Sequence, residues 1–233
     1  AFGIDFTTLM LLQGPATGRS IVLVTPDAGR SMFTYLGAAQ RLNEDDIDAE
    51  MIKLSKYIFL EGYLFDVDTA KKALMKAADL AHRFGRQVVF TLSQTGNMAV
   101  NQAQILDFIK NKVDILFANE REIKNLYGIN DLDEIVRQLK SQVNLASITL
   151  GDKGAIALDG TQTVRVEAKS VEEVVDTTGA GDLYASGFIH GLLEGQSLKT
   201  CANMGCLVAS EIITHYGARA ETALKSLLKR EMV

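Results

Sequence analysis

"YIFLEGYLFDVDTAKKALMKAADLAHRFGRQVVFTLS", residues 57–93, carries the two periodicities that decide the fold. YIFLEG (57–62) is a short apolar run ending at Gly62 and reads as a buried strand. In 66–85, Ala70, Leu74, Ala77, Ala78 and Ala81 recur at helical spacing, and Gly85 follows as a C-terminal stop. QVVFTLS (87–93) is the next strand.

The same alternation continues towards the C-terminus. AQILDFIKNK (103–112) is a helix, and VDILFANE (113–120), LASITLGDKGAIAL (145–158) and the run ending at Val175 supply further strands. A helix follows Asp182 and leads through KTCANMGCLVASEII (199–213) into ALKSLLKR, while EIVRQLKSQ is a solvated amphipathic helix. Apolar strands alternating with helices predict an α/β sandwich whose sheet is parallel and covered on both faces. Towards the N-terminus the texture changes. RSIVLVTPDAGRSMFTYLG (19–37) is two strand-like runs around Thr-Pro-Asp-Ala-Gly, hence an antiparallel hairpin. Phe33 and Tyr35 alternate on its second strand and read as strand packing, with stacking on a base or sugar as the alternative. No linker divides the chain, so one main domain with a hairpin appendage is expected.

The 233 residues are 47% hydrophobic with a net charge of −5 and no Lys/Arg block, which argues against nucleic acid and membrane surfaces as partners. Cys201 and Cys206 lie five apart on different sides of a helical pattern with no His cluster, and read as reduced core thiols. His82, His190 and His215 are scattered and read as helix-surface or helix-packing residues. No 18-residue apolar run or signal peptide is recognisable, so the cytoplasm is the expected location.

In open α/β sheets ligands sit outside the carboxyl ends of the strands, and three loops there carry unusual residues. In Asp176-Thr177-Thr178-Gly179-Ala180-Gly181-Asp182 the glycines permit close approach, and the helix that follows presents unpaired N–H groups. Such a turn holds an anion. A carboxylate beside that anion makes sense as a base taking a proton from an attacking hydroxyl; the structural alternative makes Asp182 a helix cap. Asn119-Glu120-Arg121-Glu122 places an amide and a carboxylate on one side of a helix start, suited to hydrated Mg²⁺ or to a capping box. Thr149 to Ala155, around Gly151 and Gly154, is a hairpin loop that also offers a backbone ledge.

These three loops, in this order, resemble the ribokinase (PfkB) family of carbohydrate and nucleoside kinases. DTTGAGDLYASGFIHGLLEG is similar to its C-terminal signature, NERE to its Asn-x-x-Glu motif, and ITLGDKGAIAL to its strand–glycine segment. YIFLEGYLFD and VVFTLS…VDILFANE look most like the bacterial adenosine-kinase-like branch. The resemblance implies a three-layer α/β/α sandwich with a mainly parallel sheet and a small β-hairpin lid. It divides the chain into a lid-bearing portion at 1–42 and a kinase core with the ATP site at 43–233. It also implies ATP-dependent phosphorylation of a hydroxymethyl group on an adenosine-like nucleoside or a sugar, the alternatives being a ribokinase- or fructokinase-type enzyme and a non-catalytic binding relative.

Carried over residue by residue, Asp182 becomes the catalytic base, with Gly179, Ala180 and Gly181 as the anion hole. Asn119 and Glu122 position Mg²⁺ through water. Thr149, Gly151, Gly154 and Asn203 line the ATP site, and Gly62 lies on the substrate side. Apart from the resemblance, Arg19 reads as an exposed turn arginine or as a contact to a phosphate or substrate oxygen. Asp176 and Thr178 border the K⁺ site of some members. The lid strands suit a homodimer contact. The family's opening Asp-bearing strand and Gly-Gly-x-x-x-Asn segment have no counterpart in AFGIDFTTLMLL, so the sequence is read as lacking the N-terminal part. A GxxxxGK[ST] sequence is absent, which argues against a P-loop ATPase.

Overall fold

The computed structural model describes residues 4, 8, 11–93 and 98–231. Of AFGIDFTTLMLL (1–12), read above as departing from the family pattern, only positions 4, 8, 11 and 12 lie within these. Strands β1 (Arg19–Val24) and β2 (Arg30–Tyr35) form the expected antiparallel hairpin as a separate two-stranded sheet. After α1 (Ala49–Leu54), strand β3 (Tyr57–Glu61), α2 (Asp68–Arg83), β4 (Gln87–Thr91), α3 (Met98–Lys112) and β5 (Ile115–Asn119) alternate as the periodicity predicts. Helices α4 (Glu120–Tyr127) and α5 (Leu132–Leu139) lead to β6 (Leu145–Thr149), and β3, β4, β5 and β6 are parallel neighbours in that order. Strands β7 (Ala155–Asp159) and β8 (Thr163–Val166) extend the sheet antiparallel. Helices α6 (Ala180–Leu193), α7 (Leu198–Ile212) and α8 (Leu224–Glu231) close the chain.

This strand order determines the layers. Parallel strands that advance one way through right-handed crossovers leave all their connecting helices on one face. Side chains divide accordingly, since successive strand residues point to opposite faces. Val88, Phe90, Leu116, Ala146, Ile148 and Ile156 pack with Leu74 and Ala78 of α2, Phe108 of α3 and Ile123 of α4. Val89, Ile115, Phe117 and Ala157 face the other way, onto Tyr184 and Phe188 of α6 and Ala202 of α7. Phe65, Phe90 and Phe108 meet edge-on, with centroids 5.2–5.9 Å apart, and fix the register of the first layer. Among the described residues no helix is long and apolar enough to cross a membrane.

Three expectations are modified. Strand β3 is an edge of the described sheet and Phe59 is 41% exposed, so YIFLEG is only half buried. The run ending at Val175 is not a strand; past β8 the chain follows the end of α7, where the Val175 N–H donates to the Ile213 carbonyl (2.8 Å) instead of to a strand. Phe33 and Tyr35 do not pack, as both faces of the hairpin are open. Cys201 and Cys206 are free and buried, as core thiols should be, because α7 is covered by α6 and the sheet.

The β6–β7 connection depends on one residue. Gly154 has φ +85°, and a Cβ there would overlap the Val166 carbonyl on β8. Gly154→Ala is expected to cost about 3 kcal/mol through backbone strain plus overpacking. Urea unfolding at unchanged m-value checks this; a loss below about 1 kcal/mol, within the range of an ordinary substitution, would contradict it.

Candidate active site

All three loops lie at the carboxyl ends of the strands or against them. Asn119 ends β5 and Thr149 ends β6, directly opposite each other in the ladder. Around them a cleft of about 490 Å³ is lined by Asn119, Glu120, Arg121, Lys124, Thr149 and Gly151 among others. A larger groove of about 1020 Å³ runs between α2 and α3, away from these loops, and shares none of their residues.

The glycine turn opens α6. Gly179 is its N-cap at φ +83°, with no side-chain capping bond, and its Cα faces Ala218 closely enough that a Cβ would sit 3.2 Å from that residue's methyl. The Ala180 N–H turns back to the Thr177 carbonyl at 3.3 Å. Among the described residues the Gly179 and Gly181 N–H groups have no protein acceptor, as expected of orphan donors at a helix start. Asp182 therefore sits in the first turn without capping it. Its side chain reaches solvent, but partial burial costs it hydration and raises its pKa, against a lowering pull from Arg30.

Behind the turn, Asp176 is 3% exposed. Its Oδ1 accepts from the Thr178 N–H (2.8 Å) and hydroxyl (2.6 Å), and its Oδ2 from the Gly217 N–H (3.1 Å). Burial opposes its charge, yet these donors and Arg30 prevail and hold its pKa low. Asp176 thus ties the turn to the loop after α7.

Asn119 and Glu122 form a reciprocal capping box: Asn119 Oδ1 accepts from the Glu122 N–H (2.8 Å) and Glu122 Oε2 from the Asn119 N–H (2.9 Å). Burial raises the Glu122 pKa, partly offset by the Asn119 donors, Arg121 and Arg30. Each side chain keeps acceptor capacity beyond the box. Among the described residues no three His, Cys, Asp or Glu side chains converge as a metal cage. This donor set fits a Mg²⁺ that keeps most of its water, not a dedicated protein cage.

Three residues enter the site that sequence reasoning missed. Arg30, first residue of β2, donates to the Thr177 hydroxyl (3.3 Å), and its charge acts on Asp182, Asp176 and Glu122 together. Arg19 lies at the other end of the hairpin, its guanidinium 5.8 Å from the Tyr35 ring centre. Gly62 packs against the Leu92 backbone and is flanked by Glu61 and Tyr63. Burial raises the Glu61 pKa; Tyr63 hydrogen bonding lowers it and the Asp182 charge raises it. Burial, Glu61 and Asp182 push Tyr63 up to about 12. The acidic ending of YIFLEG was the available signal for Glu61; nothing local distinguished Arg30 from Arg19. Asn203 lies half-buried on α7.

Residues 2–224 match the model of the pfkB family carbohydrate kinases. The chain is 39% identical to adenosine kinase from Sinorhizobium meliloti, with a TM-score of 0.94 over 98% of this chain and 70% of that one. A probable sugar kinase from Rhizobium etli is equally similar, at 39% identity and a TM-score of 0.94, covering 98% and 69%. The fold is shared with a putative ribokinase II from E. coli, solved with ATP and Mg²⁺, at 19% identity and a TM-score of 0.81 over 93% and 72%.

Proposed function

The chain belongs to the pfkB family of carbohydrate kinases, and we propose that it phosphorylates a hydroxymethyl group of an adenosine-class nucleoside with Asp182 as base. Kinases of this family use ATP with Mg²⁺. The observation that carries the reading is an aspartate in the first turn of α6 that does not cap it, beside N–H groups that no protein acceptor takes among the described residues.

In this reading the Asp182 carboxylate accepts the substrate hydroxyl proton as that oxygen attacks the γ-phosphorus. The bond from the γ-phosphorus to the bridging oxygen breaks, and ADP leaves with the electron pair. The Gly179 and Gly181 N–H groups, with Ala180 between them, receive the negative charge that grows on the phosphoryl oxygens. Arg30 supplies a cation on the same side. Mg²⁺, when bound beside Asn119 and Glu122, offsets phosphate charge. Thr149, Gly151, Gly154 and Asn203 border the nucleotide, and Gly62 with Glu61 and Tyr63 borders the acceptor. A K⁺ bordered by Asp176 and Thr178 belongs to the same proposal, as do the division at residue 42 and a cytoplasmic location with its ATP supply.

Exposed Phe33 and Tyr35 on the lid favour a substrate with a base to stack on over a bare sugar. A phosphorylation assay over adenosine, ribose and fructose tests this. Adenosine is expected to show the highest kcat/KM; a larger value for either sugar would replace the nucleoside reading.

The lid is also the proposed dimer contact. A two-stranded sheet has no core of its own, and this one exposes Ile21, Leu23, Met32 and Phe33. The full-length protein is expected to sediment as a dimer and Phe33→Lys as a monomer. A monomeric wild type at every concentration would dispose of the idea.

A further inference from the structure

His215 lies beyond the end of α7, in the loop that backs the glycine turn, and not on a helix surface. That loop makes four contacts with the turn or the segment leading into it. The Ile213 carbonyl accepts from Val175 (2.8 Å) and Asp176 (3.4 Å), Gly217 donates to Asp176 (3.1 Å), and Ala218 lies against Gly179.

Two side chains hold the loop in place. Glu211, near the end of α7, accepts through Oε1 from the N–H groups of Glu221 (2.9 Å) and Thr222 (2.6 Å). Its other oxygen, Oε2, is buried and faces His215 Nε2 at 3.5 Å, and neither atom has a hydrogen-bond partner. His215 Nδ1 lies 3.4 Å from the Tyr216 carbonyl and 3.9 Å from Glu221 Oε1. The two side chains are 14% and 9% exposed.

A neutral imidazole has one donor nitrogen, and here both nitrogens face acceptors. Satisfying Tyr216 then turns a lone pair towards a buried carboxylate oxygen, which is costly. An imidazolium donates from both nitrogens and pairs its charge with the carboxylate. The charged groups facing the ring are Glu211 from α7 and Glu221 from the loop ahead of α8. We propose that His215 is a positioning residue whose protonation fastens the 214–222 loop to Glu211 and so holds the glycine turn in its working shape. Burial works against the imidazolium, but the Tyr216 carbonyl, Glu211 and Glu221 outweigh it, so its pKa lies above the ordinary value. For a group with a raised folded pKa, the stabilisation is complete below the unfolded value of about 6.5 and is lost as pH rises through the folded one. The loop is fastened at mildly acidic pH and loosened above the His215 titration.

The catalytic consequence rests on the glycine turn being the phosphoryl-accepting turn; the clasp itself does not. The test uses full-length wild type, His215→Gln and Glu211→Gln, with imidazole titration by NMR, exchange of the Gly217 amide and kcat, all against pH. In wild type, Gly217 exchange, corrected for its intrinsic pH dependence, is expected to accelerate about tenfold across the titration, with kcat falling over the same range. His215→Gln should show neither step, and Glu211→Gln should move the titration to lower pH. A wild-type imidazole titrating at or below the ordinary value overturns the clasp, and this holds even if neither variant folds. An exchange step that persists in His215→Gln also overturns it. If Asp182→Asn keeps its activity, the reading of the turn fails, while the Gly217 exchange still decides the clasp.

Discussion

Asp182→Asn is expected to lower kcat about a thousandfold while KM for either substrate changes little. Asparagine matches the carboxylate in size and cannot accept the hydroxyl proton, so the loss falls on the chemical step. Folding should not suffer, because Asp182 does not cap α6. Its raised pKa even sets the opposite sign. A carboxyl whose folded pKa exceeds the unfolded one stabilises the fold at low pH, and that contribution disappears as pH rises through the folded pKa. At neutral pH the ionised group is a burden, so the variant should melt at the wild-type temperature or above it. The same shift predicts the acid limb of kcat/KM, since a base works only when ionised. Activity should fall on acidification at a pH above the ordinary aspartate range. Steady-state kinetics and thermal melts on one preparation check both statements. Near wild-type kcat in Asp182→Asn would end the base assignment, and a large drop in melting temperature would return Asp182 to a structural role.

Arg30→Ala is expected to cost about a hundredfold in kcat. Arg30 is the hairpin residue whose side chain reaches the Thr177 hydroxyl, and it pulls down the pKa of Asp182, Asp176 and Glu122. Its removal therefore has a second signature. Without the cation, Asp182 holds its proton more tightly, and the acid limb should move to higher pH. Arg30→Lys should fall between the two, keeping the charge but not the planar fork. Arg19→Ala should leave the limb in place, as Arg19 lies over Tyr35 at the far end of the hairpin. An unmoved limb in Arg30→Ala would show that the hairpin and the base do not communicate in solution.

The layers were legible because their signals are local. Ala70 to Ala81 recur at the spacing of a buried helical face, and the strands from Val88 to Ala118 are apolar on both faces, as a covered parallel sheet requires. The run ending at Val175 misled because an apolar segment can be satisfied by a helix end as well as by a strand. Here Val175 bonds to Ile213. The order of the three loops was likewise readable, and the two uses of each were not separable. Asn119 and Glu122 are a capping box whether or not a metal binds.

What the sequence determined by itself was the alternation of strands and helices, the hairpin, and a glycine turn opening a helix with Asp182 in its first turn. These depend on periodicity and on backbone freedom, which belong to a few adjacent residues. What only the tertiary structure decided was the company Asp182 keeps. Arg30 from the hairpin, Glu61 and Tyr63 from β3 and the turn after it, and the loop beyond α7 that carries His215 lie far apart along the chain. Electrostatic influence and hydration depend on distance in space, and no spacing along the chain records it.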